Sequence, residues 1–126
     1  MNADPLLVVT TVGNADAARA LARAMVGQRL AACAQISAID SVYRWQGAVH
    51  EEPEWRVLFK TRAELAPALV AAIRSAHPYE LPAIHAIATT LAEPAYAQWV
   101  ADETQQVGCC GDETQQAGGG ADAASR

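Results

Sequence analysis

The sequence predicts one α+β domain of element order β-α-β-β-α-β over residues 1–104. Three observations carry that reading. A β-branched run near the start gives way at once to a helical apolar face. A long stretch from Ala31 to Arg62 alternates in polarity and shows no helical face. A second helical face is then closed by a proline, before another strand-like run. A chain of 126 residues is the size of one ordinary domain, so a single core is expected.

The first run, Leu6 to Val12, reads as a buried strand that stops at Gly13-Asn14. Asn14 can cap the next helix, and Asp16 suits the positive end of its dipole. Ala18, Leu21, Ala22 and Met25 recur at i, i+3, i+4 and i+7, giving that helix one apolar face up to Gly27. Ala31 to Trp45 reads as one long strand. Its apolar positions change parity, with Ile36 even and Ile39 and Tyr43 odd, which predicts a bulge near Ala38–Asp40. Gln46-Gly47 begins a turn, and Glu51-Glu52-Pro53 is expected to interrupt pairing. Trp55, Val57, Phe59 and Thr61 then share one face of a strand, with Glu54, Arg56, Lys60 and Arg62 opposite. Thr61-x-x-Glu64 has the form of a capping box, although Pro67 argues for a start a few residues later. Leu65, Leu69, Ala72 and Ile73 form the second helix's apolar face, which ends at His77-Pro78. Ala83–Thr89 reads as the fourth strand, and Pro94 opens a short helix carrying Tyr96, Trp99 and Val100.

Two βαβ-like halves joined by a long hairpin between the second and third strands describe a ferredoxin-like split-βαβ sheet with its helices on one face. The hairpin would overhang a domain of this size, and its unpaired edges favour oligomerisation.

Residues 105–126 differ in kind. Asp102-Glu103-Thr104-Gln105-Gln106 recurs as Asp112-Glu113-Thr114-Gln115-Gln116, followed by Gly118-Gly119-Gly120, and so acidic and glycine-rich a segment reads as a disordered tail. Residues 1–100 carry eight Lys/Arg against nine Asp/Glu, with no basic stripe for nucleic acid. No apolar run is long enough for a membrane span, and the first residues lack a signal peptide's pattern. Three cysteines, two of them the adjacent Cys109 and Cys110, do not make a disulfide framework, so a cytoplasmic setting is expected.

Several blocks taken together resemble a known family. They are Leu30-Ala31-Ala32-Cys33, Ser41-Val42-Tyr43-Arg44-Trp45-Gln46-Gly47, Lys60-Thr61, His77-Pro78-Tyr79-Glu80-Leu81-Pro82 and Tyr96-Ala97-Gln98-Trp99-Val100. In this order and spacing, over roughly residues 5–103, they resemble the CutA-type divalent-cation-tolerance proteins. The resemblance implies a ferredoxin-like homotrimer linked to copper and other divalent metals, with no settled enzymatic activity.

Read by themselves, Cys33 offers a soft thiolate, His77 an imidazole and Glu80 a carboxylate. Such a set suits copper or zinc better than magnesium or calcium, and with the resemblance it points to copper, with zinc as a weaker competitor. The alternative for Cys33 is a small buried hydrophobe, and for His77 an imidazole serving its helix's C-terminus. His85 reads as a packed or interface histidine and His50, at the hairpin tip, as solvated. Tyr43, Trp45, Lys60, Tyr79 and Trp99 can line a cleft between subunits, with Lys60 offering charge to an anion, or serve as interface anchors. A PII-like signalling or assembly trimer binding a small ligand in such clefts, with metal incidental, is therefore the competing function. No glycine-rich phosphate loop, nucleophile elbow or paired carboxylates point to an enzyme.

Overall fold

The computed structural model describes residues 4–106. The element order is β1 (Leu6–Val12), α1 (Ala15–Gly27), β2 (Cys33–Trp45), β3 (Ala48–Thr61), α2 (Ala66–Ala76), β4 (Ile84–Ala88) and α3 (Pro94–Glu103). The four strands form one antiparallel sheet in the order β2-β3-β1-β4. The tail, including Cys109 and Cys110, lies outside the described residues.

Alternation decides which side of the sheet each residue faces. Val8 and Val12 of β1 share a face with Val57 and Phe59 of β3, and α1 and α2 close over that face with Ala18, Leu21, Met25, Leu69 and Ile73. Val8, Phe59, Leu69 and Ile73 are fully buried there. Asn14 caps α1 as expected, its side-chain oxygen accepting from the Ala17 N–H at 2.7 Å. The second face carries Leu7, Val9, Leu58, Lys60 and Cys33, and α3 lies against part of it.

Three expectations for the loops and the hairpin are corrected. First, no bulge breaks β2. The register with β3 runs unbroken from Cys33↔Lys60 to Trp45↔Ala48. Val12 pairs with Trp55, and Trp55 pairs with Ala38, so beyond Ala38 the hairpin has outrun β1. Beyond Glu54, which the loop after α2 covers, neither face of the hairpin meets the core among the described residues, and parity carries no penalty. Second, Glu51-Glu52-Pro53 stays paired, with Pro53 opposite Asp40. Past Trp55 β3 is an edge strand on its β1 side, a place where a missing N–H is tolerated. Third, Thr61 is no helix cap, because its hydroxyl donates to the Leu30 carbonyl at 2.7 Å. A 3-10 turn at Ala63–Leu65 follows, and α2 begins at Ala66 with Pro67 in its first turn.

The hairpin tip is a two-residue turn with positive φ at both positions, 52° at Gln46 and 83° at Gly47. That is the type I′ geometry whose twist matches the flanking strands, and glycine meets it without strain.

Candidate functional site

The residues singled out above fall into two groups at opposite ends of the second sheet face. The first gathers where β2 begins. Cys33 lies opposite Lys60, and α3 brings Tyr96 against both. The Tyr96 hydroxyl stands 3.9 Å from the Cys33 sulfur, while the Lys60 ammonium sits 5.6 Å from the centre of the Tyr96 ring. Trp99, one turn along α3, stacks on Tyr96 at 5.8 Å and is 42% exposed. Burial, and then the Cys33 contact, raise the Tyr96 phenol above its ordinary value, and Lys60 partly offsets them. Cys33 is half-buried and, among the described residues, in no disulfide.

The second group surrounds Glu54, just beyond the end of β1. Glu54 is buried, yet its carboxylate is satisfied by two hydroxyl donors. Ser41 donates to Oε1 at 2.6 Å and Tyr79 to Oε2 at 2.8 Å. The Tyr79 hydroxyl also approaches Gly13 so closely that a β-carbon there would stand 3.4 Å from it. Burial and the Glu54 bond push the Tyr79 phenol far up, so it stays a donor. Farther along the hairpin, Tyr43 donates to Glu52 at 2.6 Å, which raises its phenol as well, and its ring stacks on His50 at 5.5 Å. His50 is therefore packed on an aromatic ring, where the sequence suggested a merely solvated side chain. Trp45 is partly exposed beside the turn at the hairpin tip, paired with Ala48.

His77 belongs to this second group, and both its ring nitrogens are engaged. The Tyr79 N–H donates to Nδ1 at 3.1 Å, so Nε2 carries the proton and donates to the Thr11 carbonyl at 2.8 Å. The ring therefore ties the segment after α2 to β1 in its neutral form. Burial, the largest influence, lowers its pKa below the ordinary value, partly offset by the bond to Thr11.

The residues expected to share a metal are not brought together within one chain. Cys33 is level with Lys60 and Leu7, whereas His77 is level with Thr11, about 13 Å farther along β1 at roughly 3.3 Å per residue. Glu80 is exposed in the loop after His77. Among the described residues, no three His, Cys, Asp or Glu side chains converge on a common point that could hold a metal ion. Cys33 suits a soft cation; His77 would have to break an internal bond to serve as a second ligand. Glu54, Ser41 and Tyr96 were missed as members of these groups. The alternation of β3 put Glu54 on the face away from the helices, but nothing local showed that the loop after α2 would cover it.

The architecture is that of the small α+β proteins built on a four-stranded antiparallel sheet with three helices. CutA from Synechococcus elongatus superposes with a TM-score of 0.79 at 39% identity, covering 82% of this chain and 93% of that one. The divalent cation tolerance protein of Thermus thermophilus gives a TM-score of 0.76 at 36% identity, covering 80% and 99%. The chain belongs to the CutA1 divalent ion tolerance family, whose model matches residues 6–103. It is 40% identical to human Protein CutA over 98 residues, 77% of this chain. Those residues span about half of the human protein, 55% of its length.

Proposed function

We propose that this chain is a homotrimeric, cytoplasmic protein of divalent-cation tolerance with a ferredoxin-like fold, and that copper is its preferred cation, with zinc weaker. The trimer is supported by what one chain leaves bare. Among the described residues, the outer edges of β2 and β4 have no strand neighbour, and Val42, Val49, Ile87 and Trp99 are exposed at 65%, 59%, 44% and 42%. The observation that carries the cation reading is Cys33, a half-buried soft donor on the second sheet face. His77 and Glu80 complete a ligand set only if a neighbouring subunit brings them to Cys33 and the His77 ring gives up one internal bond. The test is copper titration of the full chain carrying Cys109→Ser and Cys110→Ser, then of the same chain with Cys33→Ser or His77→Ala. Loss of stoichiometric binding in Cys33→Ser is expected, with affinity falling at lower pH as protons compete for the ligands. Unchanged binding in both variants would refute the cation site.

A second reading, a PII-like trimer with a small anionic ligand in an intersubunit cleft, is favoured by one specific contact. Lys60 is held over the Tyr96 ring beside Trp99, which presents a cation and flat aromatic surface together. This reading expects Lys60→Ala to abolish ligand binding and leave copper binding intact.

A further inference from the structure

The core holds α3 less firmly than α1 or α2. It buries Ala97 and Val100, whereas α1 and α2 bury Leu21, Met25, Leu69 and Ile73. Its 10 residues make a helix too short to persist by itself in water. Its C-terminal end carries Asp102 and Glu103 and no basic side chain in the last turn, against the preference of the helix dipole. Two arginines distant in sequence supply what is missing. The Arg29 guanidinium donates to the Asp102 carbonyl at 2.9 Å. Arg62 Nε donates to Thr104 Oγ1 at 2.9 Å, and a terminal nitrogen donates to the Gln105 carbonyl. Thr104 is fully buried, and its hydroxyl donates in turn to the Val100 carbonyl at 2.9 Å. Carbonyls that a helix C-terminus leaves open are thereby satisfied.

Arg29 lies in the turn that closes α1, at φ 62°, where the Leu30 N–H donates to the Met25 carbonyl at 3.0 Å. Glycine is the residue that such a left-handed position favours. An arginine there bears strain, and it engages the end of α3 twice. Its guanidinium holds Asp102, and its carbonyl accepts from the Gln105 N–H at 2.8 Å. At the other end α3 opens with Pro94, after a segment whose Leu91 is 86% exposed. Between the two ends, Tyr96 lies against the Cys33 sulfur and beneath the Lys60 ammonium. We propose that α3 is a lid over Cys33 and Lys60, hinged before Pro94 and latched at its C-terminal end by Arg29 and Arg62. Release of the latch swings the helix out and opens the Cys33 thiol to solutes. Local opening of this kind belongs to the element with the fewest buried apolar contacts, which is α3. The lid follows from the contacts of α3 alone; its purpose, admitting a cation to Cys33, rests on the cation reading above.

The experiment measures how fast an aromatic disulfide reagent labels the full-length chain carrying Cys109→Ser and Cys110→Ser, in which Cys33 is the remaining cysteine. The same chain is then labelled with Arg62→Ala, with Arg29→Gly and with Ile73→Val. Glycine at position 29 removes the guanidinium and suits the positive φ, so folding is not in question for that variant. Both arginine variants are expected to label about tenfold faster, the change that follows when a hydrogen bond from a charged group is lost from the closed state. Ile73→Val weakens the whole domain by a comparable amount without touching the latch, and it is expected to label at the parent rate. Unchanged labelling in either arginine variant overturns the proposal. An Ile73→Val rate that rises as far as theirs overturns it too, because Cys33 would then be reached by global unfolding. No metal enters the measurement, so faster labelling beside a failed copper titration sinks the cation reading and supports the lid.

Discussion

Tyr79→Phe removes one oxygen atom and tests the way the loop after α2 is fastened to the hairpin. The Tyr79 hydroxyl donates at 2.8 Å to Oε2 of Glu54, a residue 8% exposed, and the other carboxylate oxygen is held by Ser41. A hydrogen bond to a charged acceptor contributes about 1.5–3 kcal/mol, and its loss is felt most where water cannot replace the donor. Tyr79 is itself only partly buried. Some water can reach the gap, so the lower half of that range, about 1.5–2 kcal/mol, is expected. Urea unfolding at fixed protein concentration, with a slope of about 1–3 kcal/mol per molar, would show it as a midpoint shift near 1 M. Ser41→Ala and the double variant complete a cycle, and coupling is expected because both donors serve one carboxylate. A midpoint unchanged by Tyr79→Phe would refute the reasoning, since Glu54 would then be satisfied without that hydroxyl.

Two further outcomes follow from burial and protonation. Leu69→Ala, at a fully buried position between α2 and the sheet, should lower stability by about 2–5 kcal/mol, and Ile73→Val by about 0.5–1.5 kcal/mol, as read by denaturant unfolding. His77 is held neutral, with its pKa lowered from the ordinary 6.5. The stability it contributes is complete above that unfolded-state value and is lost as pH falls through the lowered native one. Unfolding free energy should therefore decline below about pH 6.5, and His77→Asn should flatten that decline; equal slopes in the two proteins would exclude His77 as its source.

Much of the fold could be read because the signals were local. The Leu6–Val12 run, the Asn14 cap, the four-position face of α1 and the alternation of Val57, Phe59 and Thr61 each depend on neighbours a few residues apart. The misreadings share a different origin. Thr61 looks like a cap until Leu30, 31 residues away, takes its hydroxyl. The parity change in β2 looks like a bulge until one sees that β1 stops at Val12, opposite Trp55. The grouping of Glu54 with Tyr79, and of Cys33 with Tyr96, depends on tertiary contacts across 25 and 63 residues, which no spacing in the sequence encodes.

The unbroken register of the hairpin also constrains how this sequence can change length. Deleting one residue of β2 beyond Ala38 would turn Ser41 and Tyr43 to the opposite face, away from Glu54 and Glu52. Removing a residue from one strand alone would also pull Gln46-Gly47 out of the tip. Indels that leave the turn and both hydroxyl contacts intact must therefore remove or add two residues in each strand, four at a time, between Tyr43 and Glu52. Across related chains the arm should differ in steps of four residues, and a variant off by one should carry a compensating bulge.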